Sequence, residues 1–173
     1  AAAHAAVKPR PEHQLFSVFP LGSSQAPRIS VELRGQSLDN AYAVWFDCTA
    51  ISGEIKSIEP VKPQGDGKAA KGQQVLKVMA EFVVAPDANL GQHTFRVIGP
   101  RGVSNPLPFF VYQEPMTVRG DLSVDGSSTT RKIPKLPTVV SGVLETAGEV
   151  DSYVFDVEAG QELFFEVLHA GGT

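Results

Sequence analysis

The chain has 173 residues, 42% hydrophobic and 20% charged, a balance that supports a packed core and excludes a disordered chain, a coiled coil or a collagen-like fibre. Its 15 Lys and Arg against 19 Asp and Glu give a formal charge of -4, which leaves no basic footprint for nucleic acid or an anionic membrane. Sixteen Gly and 13 Pro are too many for a helical bundle and suit short strands joined by turns.

Residues 1–13 are small, proline-containing and without periodicity, which predicts an extended leader. From residue 14 the texture becomes β-rich. A strand over 15–19 closes on Pro20 and a Gly-Ser-Ser turn. Over 28–34, Ile29, Val31 and Leu33 alternate with Arg28, Ser30, Glu32 and Arg34, the period of a half-buried strand. The same reading predicts strands over 42–46 and 51–58. Residues 60–72 carry Pro, Gly and Lys with almost nothing apolar, so they read as a solvated loop or hairpin tip.

Strands resume over 74–84 and 93–98, separated by the turn-rich Ala85-Pro86-Asp87-Ala88-Asn89-Leu90-Gly91. A last run over 103–112 contains Pro106 and Pro108, each lacking a ladder donor, so pairing is expected over 109–112. This is the texture of an immunoglobulin-like sandwich spanning 14–113. Trp45 is present, but Cys48 is the single cysteine, so the core must rest on apolar packing with no disulfide. Val31, Leu33, Val44, Phe46, Val78, Phe95 and Val97 are its expected inward residues.

Residues 114–135 turn polar and glycine-rich, then proline-stiffened, and read as a linker. Three strands are expected after it, over 138–144, 150–157 and 162–168, the last two joined at Glu158-Ala159-Gly160-Gln161. Three strands bury too little surface to close a module. Residues 136–173 therefore read as an incomplete β module, finished by another protein chain or by further residues of its own. Its candidate partner-binding edge is Glu162, Phe164, Glu166 and Leu168.

Catalytic chemistry has no visible constellation, and no enzyme is expected. His4, His13, His93 and His169 have no ligand-spaced partner, and Cys48 in its apolar run reads as a small buried hydrophobe. No Gly-x-Ser-x-Gly elbow occurs. Arg119-Gly120-Asp121 reads as a turn. Asp121 and Asp125, with the hydroxyls of Ser127 and Ser128, are weak calcium candidates because they are hard oxygen donors. Asp151 reads as a turn cap or a partner for backbone amides. Trp45, Phe46, Phe109, Phe110 and Tyr112 could form a carbohydrate platform, but at strand spacing they read as sandwich core. No cofactor is expected.

Two stretches resemble known families. Val31-Glu32-Leu33-Arg34-Gly35-Gln36-Ser37-Leu38-Asp39, the run from Ala85 to Val97, and Gly102-Val103-Ser104-Asn105-Pro106-Leu107-Pro108 are similar to immunoglobulin-like modules related to the IPT/TIG type. Such modules occur in large secreted proteins of planctomycetes, acidobacteria and similar bacteria. Leu136-Pro137-Thr138-Val139-Val140-Ser141-Gly142, Gly148-Glu149-Val150-Asp151-Ser152-Tyr153 and Ala159-Gly160-Gln161 resemble the start of the bacterial pre-peptidase C-terminal domain, a jelly-roll found beside secreted proteases.

The resemblance implies an all-β, secreted or periplasmic chain that binds or scaffolds other proteins without catalysis. Two alternatives are the non-catalytic region of a secreted hydrolase and a structural subunit of a surface or membrane-associated assembly. The apolar runs are too short to span a membrane as a helix.

Overall fold

A computed structural model describes residues 12–25, 28–61, 74–126, 129–144 and 146–169. Most of the leader, residues 62–72 of the expected loop, His4, Ser127 and Ser128 lie outside the described residues. The architecture is all-β. Nine strands form the first unit: β1 Gln14–Phe19, β2 Gly22–Ser24, β3 Ile29–Gln36, β4 Ala43–Phe46, β5 Ile51–Pro60, β6 Val75–Val84, β7 Gly91–Gly99, β8 Gly102–Val103 and β9 Leu107–Tyr112.

Their hydrogen-bonded order is β1-β3-β6-β5-β4-β7-β9-β2, with β8 beside β7. The halves β1-β3-β6-β5 and β4-β7-β9 reproduce the two-sheet order of an immunoglobulin-like sandwich. The path passes between them at one point, where Val44 of β4 faces Gly53 of β5. Glycine is needed there, because a Cβ on Gly53 would stand 2.9 Å from Val44 Cβ and 3.0 Å from the Phe82 ring.

Alternation delivers the core. Val78, Ala80, Phe82 and Val84 of β6 are buried, as are Phe95 and Val97 of β7, Val31 and Leu33 of β3, and Phe46 of β4. Val44 is partly buried and packs against them. Four phenylalanines meet in this core, which has no disulfide. The Phe82 centroid lies 4.9 Å from Phe46, 5.4 Å from Phe95 and 5.2 Å from Phe109, all edge-on. These are favourable quadrupole geometries.

The Gly-Ser-Ser segment expected as a turn is instead β2, running parallel to β9. A Cβ on Gly22 would overlap the carbonyl oxygen of Phe110, so only glycine lets the two backbones approach. His13, expected in the leader, is buried. Its Nδ1 lies 2.5 Å from the Ser37 carbonyl, and the Arg101 amide donates to its Nε2 at 3.2 Å.

The Gly-Val-Ser-Asn-Pro-Leu-Pro run has a physical role as a clasp. Buried Ser104 accepts the Val97 amide through Oγ at 2.9 Å and donates to the Asn105 carbonyl at 2.8 Å. The Asn105 amide accepts from Leu15 N–H at 2.7 Å and donates to Leu15 O at 3.0 Å. One side chain thus stands in for a ladder partner of β1. Within this run β8 pairs with β7 through Val103 opposite Ile98, and after Ser104 to Pro106 pairing resumes at Leu107, with Pro108 opposite Thr94.

Candidate functional site

Beyond Tyr112 the chain builds a smaller set of strands: β10 Met116–Val118, β11 Thr130–Lys132, β12 Val139–Ser141 and β13 Ser152–Val154. β10 pairs with β12 and β11 with β13, both parallel. Residues 114–135, expected as a linker, therefore supply half of the paired strands. Their three-residue length and polar neighbours hide them from a reading based on alternation. β10 also touches the first unit, where Met116 and Val118 line an apolar groove of about 430 Å³ with Phe19, Ile29 and Met79.

Arg119 is the centre of this unit. It opens the 3₁₀ turn Arg119–Asp121, and its Nη1 donates to Glu149 Oε1 at 3.1 Å. Its Nη2 stands 2.7 Å from Asp151 Oδ1, at ion-pair distance but without hydrogen-bond alignment. Asp151, expected to meet backbone amides, thus pairs with a guanidinium. The Arg-Gly-Asp run is a turn whose arginine is occupied. Burial, reinforced by Asp151, raises the Tyr153 phenol above its ordinary value of 10, partly offset by Arg119 and Arg131.

Of the weak calcium candidates, Asp121 and Asp125 lie among the described residues and Ser127 and Ser128 lie outside them. Asp121 ends the 3₁₀ turn, and the Asp125 amide bonds the Thr130 carbonyl at 3.0 Å. Neither belongs to the group of metal-ligating side chains that comes together among the described residues. That group is Asp47, Cys48 and His93. Sequence reading passes over two of its members, because Cys48 lies in an apolar run and His93 has no ligand-spaced partner.

The aromatic platform splits. Phe46 and Phe109 are in the core, Trp45 is exposed on β4, and Phe110 stacks on Tyr112 with centroids 6.2 Å apart. Burial pushes the Tyr112 phenol up, with a smaller push from Glu166.

Glu162, Phe164, Glu166 and Leu168 are not an edge strand: residues 161–169 form no strand. Alternation fails as well, since adjacent Phe164 and Phe165 are 89% and 75% exposed and Val167 is 92% exposed. The reason is the absence of a neighbouring ladder among the described residues. The expected reversal is present, with Gln161 N–H donating to the Glu158 carbonyl at 3.1 Å, but it joins β13 to an unpaired segment. The Phe165 ring lies 5.9 Å from Phe155. With Val143, Leu144, Val150 and Val157 also exposed, this end of the chain presents apolar side chains that the first unit would bury. No helix among the described residues is long and apolar enough to cross a membrane. The chain matches no family model, no curated protein and no solved structure.

Proposed function

We propose that this chain is a non-catalytic extracytoplasmic binding or scaffolding module that acts through protein–protein contacts, with residues 143–168 as its contact surface. The observation that carries this reading is the exposure of Phe164, Phe165 and Val167 in a segment with no backbone ladder. Exposed apolar clusters mark interaction sites, and an unpaired extended segment can gain main-chain hydrogen bonds by adding to a partner's sheet. The extracytoplasmic assignment is supported by the resemblance of 14–113 to secreted IPT/TIG-related modules and of 136–163 to pre-peptidase C-terminal domains.

Sedimentation velocity across a concentration series, combined with hydrogen exchange, tests the contact surface. The expected result is association, with amides of 161–168 protected only in the associated form and both effects lost in Phe164→Ser/Phe165→Ser/Val167→Ser. Strong protection of those amides in a dilute monomer would overturn the reading. Recovery of the native protein from the cytosolic fraction would remove the extracytoplasmic part.

A further inference from the structure

Cys48, Asp47 and His93 are brought together by sheet register. β4 and β7 pair with Phe46 opposite Phe95, so the residue leaving β4 meets the residue before Phe95. Asp47 N–H donates to the Thr94 carbonyl at 3.0 Å, and Thr94 N–H donates to Asp47 Oδ2 at 2.8 Å. That clamp uses one carboxylate oxygen and aims the other, Oδ1, at His93. Cys48 follows in the same turn, partly buried against the core. One ligand atom from each residue lies within 4.8 Å of the other two.

The imidazole is oriented by its far nitrogen. His93 Nε2 lies 2.8 Å from the Asn89 carbonyl, an acceptor only, so Nε2 carries a proton and donates it. In the neutral ring Nδ1 then bears a lone pair, and it faces Asp47 Oδ1 at 3.4 Å. Two acceptors then face each other beside a thiol, an arrangement that a bound cation would satisfy. A charged N–H to carboxylate hydrogen bond closes to about 2.7–2.9 Å. Nitrogen and oxygen bound to one tetrahedral zinc, at about 2.0–2.2 Å each, stand about 3.3–3.5 Å apart. The 3.4 Å between Nδ1 and Oδ1 is compatible with a shared metal ion.

We propose that Asp47 Oδ1, Cys48 Sγ and His93 Nδ1 form a binding site for a divalent, borderline-soft metal ion of the zinc class. The mixed thiolate, imidazole and carboxylate set selects such an ion over calcium or magnesium, which take oxygen ligands. Asn89 supplies the outer hydrogen bond that metal-bound histidines need to fix their tautomer. The Asp47 side chain is 40% exposed, so the group is open to solvent on that side. The site ties the turn after β4 to the first residues of β7 in a sandwich with no disulfide. Metal binding there therefore stabilises the folded state by mass action.

The test is titration of the metal-free full chain with Co²⁺ and Zn²⁺. One Co²⁺ per chain is expected, with a sulfur-to-cobalt charge-transfer band that Cys48→Ser abolishes and Zn²⁺ displaces. Asp47→Asn keeps an acceptor for Thr94 N–H and should weaken binding by at least the 10–100-fold that loss of an outer-shell partner costs. His93→Gln should do the same, while His169→Gln leaves affinity unchanged. Zn²⁺ should raise the melting temperature of the parent chain and not of Cys48→Ser. Absence of the band in the parent overturns the site, as does its survival in Cys48→Ser. Full-affinity binding by a folded Asp47→Asn would also overturn it, as would a bare imidazolium–carboxylate pair that ignores both metals.

Discussion

The first nine strands and the last four are built from similar residues and reach different degrees of closure. β5 and β6 are ten residues each and pair along their length, whereas β10 to β13 are three residues each. Phe82, Phe95 and Phe109 are fully buried, while Phe164 and Phe165 are 89% and 75% exposed. Phenylalanine content does not separate the regions; the number of long strands that share a face does. A sheet face becomes a core when a second face covers it. The first unit has both faces, and the second is held by one arginine and four short strands.

The sharpest way to break this contrast is to truncate an equivalent ring in each region. Phe95→Ala should cost about 3–5 kcal/mol, because it opens a cavity among Phe46, Phe82 and Val97 that the sheets cannot close. Phe164→Ala should change stability by less than about 0.5 kcal/mol. Denaturant melts of the two variants measure both. A comparable loss in each would mean that the C-terminal segment packs in solution.

Asn105→Ala comes next, at about 1–3 kcal/mol, since it strips partners from both the amide and the carbonyl of Leu15. Hydrogen exchange should rise first at Leu15. A global effect with no change at Leu15 would mean that the clasp is not what holds β1.

How far the fold is legible in the sequence follows from the same contrast. Period-2 alternation in β3, β6 and β7 marks inward residues directly, so Val31, Leu33, Val78, Phe95 and Val97 can be named from the pattern alone. β2 cannot, because Gly22-Ser23-Ser24 has turn composition and its strand state depends on the distant Phe110 carbonyl. His13 is hidden for the same reason, since its partners Ser37 and Arg101 lie on two other loops. Asp47, Cys48 and His93 come together through the β4–β7 register, and only knowledge of which strands pair exposes them. In 114–168 composition misleads in the opposite direction. Turn-rich segments hold paired strands, and the apolar run after Gln161 holds none.

Arg119→Met should act on one side of the comparison alone. It leaves Glu149 and Asp151 without their shared cation, for an expected loss of about 1–2 kcal/mol after allowance for partial exposure. Exchange should accelerate across β10 to β13, while the melt of the sandwich stays in place. Equal destabilisation of β3, β6 and β7 would show that the two regions unfold as one body.

The smallest effect is a pH dependence confined to the second unit. Burial raises the Tyr153 phenol above 10, with Asp151 adding to it. The folded state therefore holds the proton more tightly than the unfolded chain does. Linkage then gives a stability contribution fully present below pH 10 and lost as pH rises through the folded value. Tyr112 moves in the same direction on the first unit, from burial and from Glu166, but it stands on β9, which pairs with both β7 and β2. Alkaline titration should accordingly loosen β11 and β13 before β9. Tyr153→Phe removes the ionisable group and should flatten the alkaline limb in the second unit. Amide exchange rates, corrected for their intrinsic pH dependence, read the two regions separately. An unchanged alkaline limb in Tyr153→Phe would show that this phenol is as free in the folded chain as in the unfolded one.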